Sequence, residues 1–202
     1  MRKPRGYEGQ AHETIGSDIL AVRHALTALA GNDSTALRLI GPLASARLVT
    51  VQSNGWYPIE WLLDMMERID ERIGRFALLK LGRTLFKLSH QARIAEVATC
   101  GRDIVYGIDG MYHHANRGGD IGGWTVRSFD PNLAVLEKTT PHHCMMEEGI
   151  LSQALSAVGS PAVISQTQCF RDGADACRFS IVPAMQSAQW QPPRAPWDTD
   201  AR

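Results

Sequence analysis

A change of hydrophobic period near residue 120 constrains the fold of this chain more than any other feature. Upstream, apolar residues recur at helical spacing; downstream, short apolar runs flank tight turns. Ile19, Leu20, Val22, Ala25, Leu26 and Leu29 trace one face of a helix that starts at Ser17 and closes at Gly31-Asn32. Pro58 opens a second helix, in which Ile59, Leu62, Leu63, Met66, Ile69 and Ile73 lie opposite Glu60, Asp64, Glu67 and Glu71. The leucine spacing over residues 78–88 predicts another helix, offset near Gly74 and Gly82, and residues 92–111 a further one. Residues 37–51 read as irregular.

Beyond the glycine-rich stretch 116–123, two apolar runs, 124–129 and 133–138, flank Asp130-Pro131-Asn132 and predict a β-hairpin. A helix over 142–158 is stopped by Gly159-Ser160-Pro161, and residues 162–169 and 177–182 then flank a turn-rich loop as a second hairpin. The order helices, hairpin, helix, hairpin gives an α+β class: a helical N-terminal half packed on a small antiparallel sheet made of two hairpins. The expected organisation is a flexible N-terminal tail (1–16), a single domain (17–182) and a proline-rich C-terminal tail (183–202).

Charge narrows the function classes. With 21 basic and 21 acidic residues the chain has no broad electrostatic attraction for nucleic acid, and no apolar run approaches the roughly 20 residues that span a bilayer. No signal-peptide core is evident, so a cytoplasmic location is expected and the four cysteines read as reduced thiols, core residues or metal ligands rather than a disulfide framework.

Cys169 and Cys177 stand at the two mouths of the second hairpin's loop, where strand pairing brings their sulfurs together. Two thiolates suit zinc, and Cys144 with His142 or His143 offers the further ligands of a closed site; buried, inert cysteines are the alternative. Cys100 reads as a small buried residue.

The segment Cys144-Met145-Met146-Glu147-Glu148-Gly149, the helix through Ala157-Val158-Gly159, and Gln166-Thr167-Gln168-Cys169 with Gly173, Asp175, Cys177 and Phe179 resemble the vinyl-4-reductase, or hydrocarbon-binding, domain family. The resemblance covers about residues 124–182. It implies a fold like that of TRAPP subunits and a relation to the sensory domains of bacterial phenol- and toluene-responsive activators. It also implies a zinc site at Cys144, Gln166, Cys169 and Cys177; since Gln166 supplies no carboxylate, His143 or His142 is expected in its place.

In those sensors a histidine and a tryptophan contact the ligand, which points to His113 or His114 with Trp124, beside Tyr112, as the pocket; adjacent histidines capping a helix end are the alternative. Met65, Met66, Met111, Met145 and Met146 read as core or as an adaptable cavity wall. Glu147-Glu148 reads as a solvated helix face, and the glycine-rich stretch lacks the Gly-Lys-Ser/Thr of a phosphate loop. No catalytic triad or nucleotide fingerprint is present. The expected function is therefore a sensory domain for an apolar or aromatic small molecule, with structural zinc, acting through a homodimer or a separate signalling or enzyme partner. An enzyme or accessory factor of tetrapyrrole or aromatic metabolism, and an assembly scaffold, are the other readings.

Overall fold

The computed structural model describes residues 11–184 and Trp190. Seven helices and seven strands follow in the order β1 (Glu13–Ile15), α1 (Gly16–Ala30), α2 (Asp33–Leu48), β2 (Trp56–Pro58), α3 (Ile59–Ile73), α4 (Arg75–Leu85), α5 (Gln91–Val97), α6 (Gly101–Ala115), β3 (Asn116–Arg117), β4 (Trp124–Phe129), β5 (Ala134–Lys138), α7 (Cys144–Ala157), β6 (Ala162–Gln168) and β7 (Cys177–Pro183). The expected α+β class and both hairpins are present. β4–β5 and β6–β7 join through β5–β7 into one antiparallel sheet of order β4-β5-β7-β6.

Three local expectations are corrected. The irregular segment is helix α2, which tolerates Gly41-Pro42 because Gly41 leaves helical geometry at φ 83° and lets the chain kink before a proline that has no N–H to donate. The single helix expected over 92–111 is two: Ala98 is extended, and Cys100 caps α6, whose Asp103 carboxylate accepts back from the Cys100 and Thr99 amides. The expected N-terminal tail contains β1, which pairs with both β2 and β3 in a second, three-stranded sheet. The expected C-terminal tail lies largely outside the described residues, but Trp190 is buried, stacked on Phe129 at 5.0 Å.

Gly82 does not offset its helix. It lets α4 and α7 touch backbone to backbone: a Cβ on Gly82 would stand 2.0 Å from the Met146 carbonyl, and one on Gly149 2.2 Å from that of Leu79. Around this crossing Leu78, Leu81, Leu85, Met146, Leu151 and Leu155 are buried with Met65 and Met66 of α3, so these methionines are core. The sheet's inner face follows the two-residue period: Ala134, Leu136 and Lys138 of β5 stand opposite Ile181, Phe179 and Cys177 of β7. No helix among the described residues is long and apolar enough to cross a membrane.

Candidate functional site

The same alternation that buries Leu136 carries Lys138 inward, opposite Cys177, so an ammonium group stands at the joint of sheet and α7. Lys138 Nζ donates to the His142 carbonyl at 2.7 Å and lies 3.7 Å from Cys144 Sγ. Cys144 is the first residue of α7, and its sulfur is 3.2 Å from Cys177 Sγ, which also accepts from the Phe170 amide. The Cys177 thiol donating to it, and then the Lys138 charge, hold Cys144 well below the ordinary thiol range against the opposing effect of burial. Cys177 is raised, because the Cys144 thiolate accepts its proton and burial disfavours a second charge. Burial alone would lower Lys138, but the Cys144 thiolate and the Glu147 carboxylate raise it.

Glu147, expected on a solvated face, is buried. Its Oε1 accepts from Thr140 Oγ1 at 2.8 Å and meets His142 Nδ1 at 3.1 Å. Desolvation opposes its ionisation, yet Lys138 and these two partners hold it below its ordinary value. The N-terminal position of Glu147 on α7 placed it beside the loop that precedes the helix, a tertiary fact that helix periodicity does not carry.

Cys144, Cys169 and Cys177 do converge, with their sulfurs within 4.8 Å of one another. His143 stands apart from them: its ring accepts from the Met145 amide as the cap of α7 and faces Asp70 Oδ2 at 3.2 Å. Gln166 donates to the Cys144 sulfur. Cys100 is buried as the α6 cap, with burial raising its thiol.

Of the expected pocket residues, His113 and Trp124 line one open hollow beside the glycine-rich stretch, Tyr112 and Trp124 line a smaller inner one, and His114 alone faces elsewhere, since successive residues on α6 point about 100° apart. Tyr112 turns inward, donating to the Ile121 carbonyl at 2.8 Å and meeting the His142 ring edge-on at 5.6 Å. Trp124 packs on Phe179 in the core. His113 is half-exposed against Asp109, while His114 faces a different space.

That space is a cleft of about 320 Å³ between α5 and α6, walled by Ile94, Val97, Ile104, Ile108 and Met111, with His90, Arg93 and His114 on its sides. Burial, then the Arg93 charge, lowers His114 and keeps its imidazole neutral. Helix α5 contributes no buried residue and is joined to α4 by a π-helical turn, Phe86–His90. Behind His90, Ile108 and Met111, which both share, lies a small hollow of about 30 Å³, reached by Asp18, Tyr112, Asn116, Trp124, His142 and Glu147. Sequence reasoning missed Asp18, His90, Arg93 and Lys138. For Lys138 alone a signal existed: it keeps the inward phase of Ala134 and Leu136.

No family model matches the chain, and no curated protein does. Solved structures do. An H-NOX protein from S. oneidensis in the Fe(II) ligation state is 18% identical with a TM-score of 0.67, covering 87% of this chain and 99% of its own. The Fe(II)NO state of the H-NOX protein from S. oneidensis gives 0.65 at 19% identity over 84% and 98%. Unliganded Fe(II) H-NOX from K. algicida gives 0.61 at 13% over 85% and 97%.

The chain thus has the H-NOX fold. The TRAPP-like fold and the vinyl-4-reductase resemblance are overturned, because a hairpin with two cysteines after a short helix is a local pattern that this different arrangement of helices shares. The aromatic-ligand sensor, its enzymatic and scaffold alternatives, and structural zinc fall with them. The solved neighbours are described by iron(II) and its ligation, and the Cys144 thiolate here is already neutralised by the Lys138 ammonium.

Proposed function

We propose that this chain is a sensory domain on the H-NOX fold that holds a haem-type metalloporphyrin in the α5–α6 cleft, with His114 as the iron ligand. The observation that carries the reading is the cleft itself: an apolar slot with neutral imidazole and guanidinium on its sides, in a fold whose solved relatives are described by Fe(II) and NO ligation.

The residues fit on chemistry. Ile94, Val97, Ile104 and Ile108 match an apolar macrocycle, His114 is kept unprotonated as a metal ligand requires, and Arg93 suits the carboxylates at a porphyrin's edge. Size sets a condition: about 320 Å³ is near the low end of the ~300–1,000 Å³ typical of ligand pockets, so α5 must swing outward to admit the ring. Its lack of buried residues and its π-helical joint make it the element of least resistance. A bound haem would supply an iron coordination position for a diatomic gas such as NO or CO. Arg93 and His114, now in contact, would part, and the displaced α5 would alter the outer face offered to a separate signalling partner.

Titrating the purified chain with hemin under reducing, anaerobic conditions tests this. One equivalent bound, with a shifted Soret band that moves again under CO or NO and is lost in His114→Ala, is the expected result. Loss in His90→Ala instead would transfer the ligand role, and weak binding indifferent to both substitutions would overturn the proposal.

A further inference from the structure

Helices α1 to α4 close into a ring: α1 packs against α2 and α4, and α3 packs against the same two. The chain turns sharply between α1 and α2 at Gly31 and between α3 and α4 at Gly74, both at positive φ (80° and 91°). Beside these turns a groove of about 430 Å³ opens, with apolar walls from Leu29, Leu39, Ile73 and Phe76. It shares no lining residue with the α5–α6 cleft. Leu29 and Ile73 are exposed, and Phe76 is 73% exposed. Helical phase accounts for Phe76: α4 buries Ala77, Leu78, Leu81 and Leu85, which turns Phe76 and, four residues on, Lys80 outward together. Single exposed apolar side chains are ordinary, but three that share one concavity mark a contact surface.

The charge lining the groove is of one sign: Arg72 and Lys80 face it and no acidic residue does. Arg72 donates to the Arg38 carbonyl at 3.1 Å, and neither cation meets a carboxylate among the described residues. Arg23, Arg47, Arg117, Arg127, Arg171 and Arg178, by contrast, each hold one. Shape then selects among anionic, partly apolar occupants. A small molecule would stay open to water on the side where Phe76 stands exposed, whereas ligand pockets bury most of their ligand. A flat lipid surface does not fill a concavity. A second copy docking through the same face would set two concavities and like charges against each other. A ridge of apolar side chains flanked by carboxylates meets both the shape and the charge.

We propose that this groove is a docking site for an acidic amphipathic helix of a partner protein. Apolar side chains on one face of that helix enter between Leu29, Ile73 and Phe76, and the carboxylates beside them reach Arg72 and Lys80. The site lies on α1–α4 and needs no occupant in the α5–α6 cleft.

The test uses the full chain and a fluorescein-labelled helical peptide with leucines at helical spacing along one face and glutamates on its flanks. A twin peptide carries lysines in place of the glutamates. Fluorescence anisotropy reads binding, and ¹⁵N amide shifts locate it. The glutamate peptide should bind, shift amides on both sides of Gly31 and Gly74, and weaken as salt is raised. Phe76→Ala should weaken it about tenfold or more. Lys80→Glu should lose the glutamate peptide and gain the lysine one, an exchange that a damaged fold does not produce. Both side chains are exposed, so both variants should keep the parent Tm. No binding, equal binding of the two peptides, or binding untouched by Phe76→Ala would overturn the proposal. Dimerisation of the chain, saturable binding of decanoate, or uptake onto phosphatidylglycerol vesicles, lost in Phe76→Ala while the glutamate peptide stays unbound, would overturn it in favour of that occupant.

Discussion

The α5–α6 cleft and the Lys138–Cys144–Glu147 knot are built from opposite materials. The knot is buried, and each of its charges has a partner: ammonium to thiolate and carbonyl, carboxylate to hydroxyl and imidazole. The cleft is apolar, open on one side, and closed on another by a helix without a buried residue. The contrast teaches where stability and where ligand binding reside in this fold. Charges at the joint of sheet and α7 hold the molecule in one arrangement, while the weakly held α5 leaves room for a ligand to do work.

The largest effect should come from breaking the knot. Lys138→Met removes the ammonium facing the Cys144 thiolate and Glu147, and should cost about 3–5 kcal/mol in urea unfolding, as does an orphaned buried charge elsewhere. The Cys144 thiolate's ultraviolet absorbance should fall at neutral pH in the variant, the Cys177 hydrogen bond still favouring the charged form. If stability falls by less than about 1 kcal/mol, the knot is not the stabilising unit described here.

Next is the seam beneath it. Gly149→Ala places a Cβ against the Leu79 carbonyl and should destabilise by about 1–3 kcal/mol or more, since backbone and not a flexible side chain must yield. Gly107→Ala on α6, where a Cβ meets nothing within 4 Å, is the matched control and should be neutral or stabilising.

On the cleft side, Val97→Ser, at a position 71% exposed, should leave stability unchanged within about 0.5 kcal/mol while weakening hemin uptake several-fold. A large stability loss there would mean that α5 is core after all.

The smallest effect separates the two regions by pH. Glu147 is held below its ordinary 4.5, so its contribution is present above that pH and is lost as pH falls through its folded-state value. His114 is held below its ordinary 6.5; its neutral form is favoured by folding, so that contribution is present above 6.5 and lost as pH falls through its lowered value. His114→Ala should flatten only the limb starting near neutrality, and Glu147→Gln only the more acid one, in stability measured against pH.

Much of the local structure was legible. Apolar spacing located α1, α3, α4 and α7, and turn residues located both hairpins, because these signals depend on neighbours close in sequence. The break between α5 and α6 was not legible, since Ala98-Thr99-Cys100 contains neither glycine nor proline and ends a helix only through the side-chain cap that Asp103 completes. Of the candidate site, the approach of Cys169 and Cys177 was readable from hairpin geometry, whereas Cys144 was named as a further ligand for its chemistry and joins them through the packing of α7 on the sheet. The cation beside them came from a register across β5 and β7 that no single segment encodes. Of the residues read as one pocket, His113 and Trp124 share an open hollow, Tyr112 and Trp124 a small inner one, and His114 lies apart in the α5–α6 cleft.

Sequence by itself determined the α+β class, most element positions and the inward phase of the strands, because periodicity and turn chemistry act within about ten residues. Only the tertiary structure decided which fold these elements make, which buried charges face one another, and where space remains for a ligand. Those depend on helix crossings such as Gly82 against Met146 and Gly149 against Leu79, and on strand register, where residues about 40 or more positions apart in the chain come into contact.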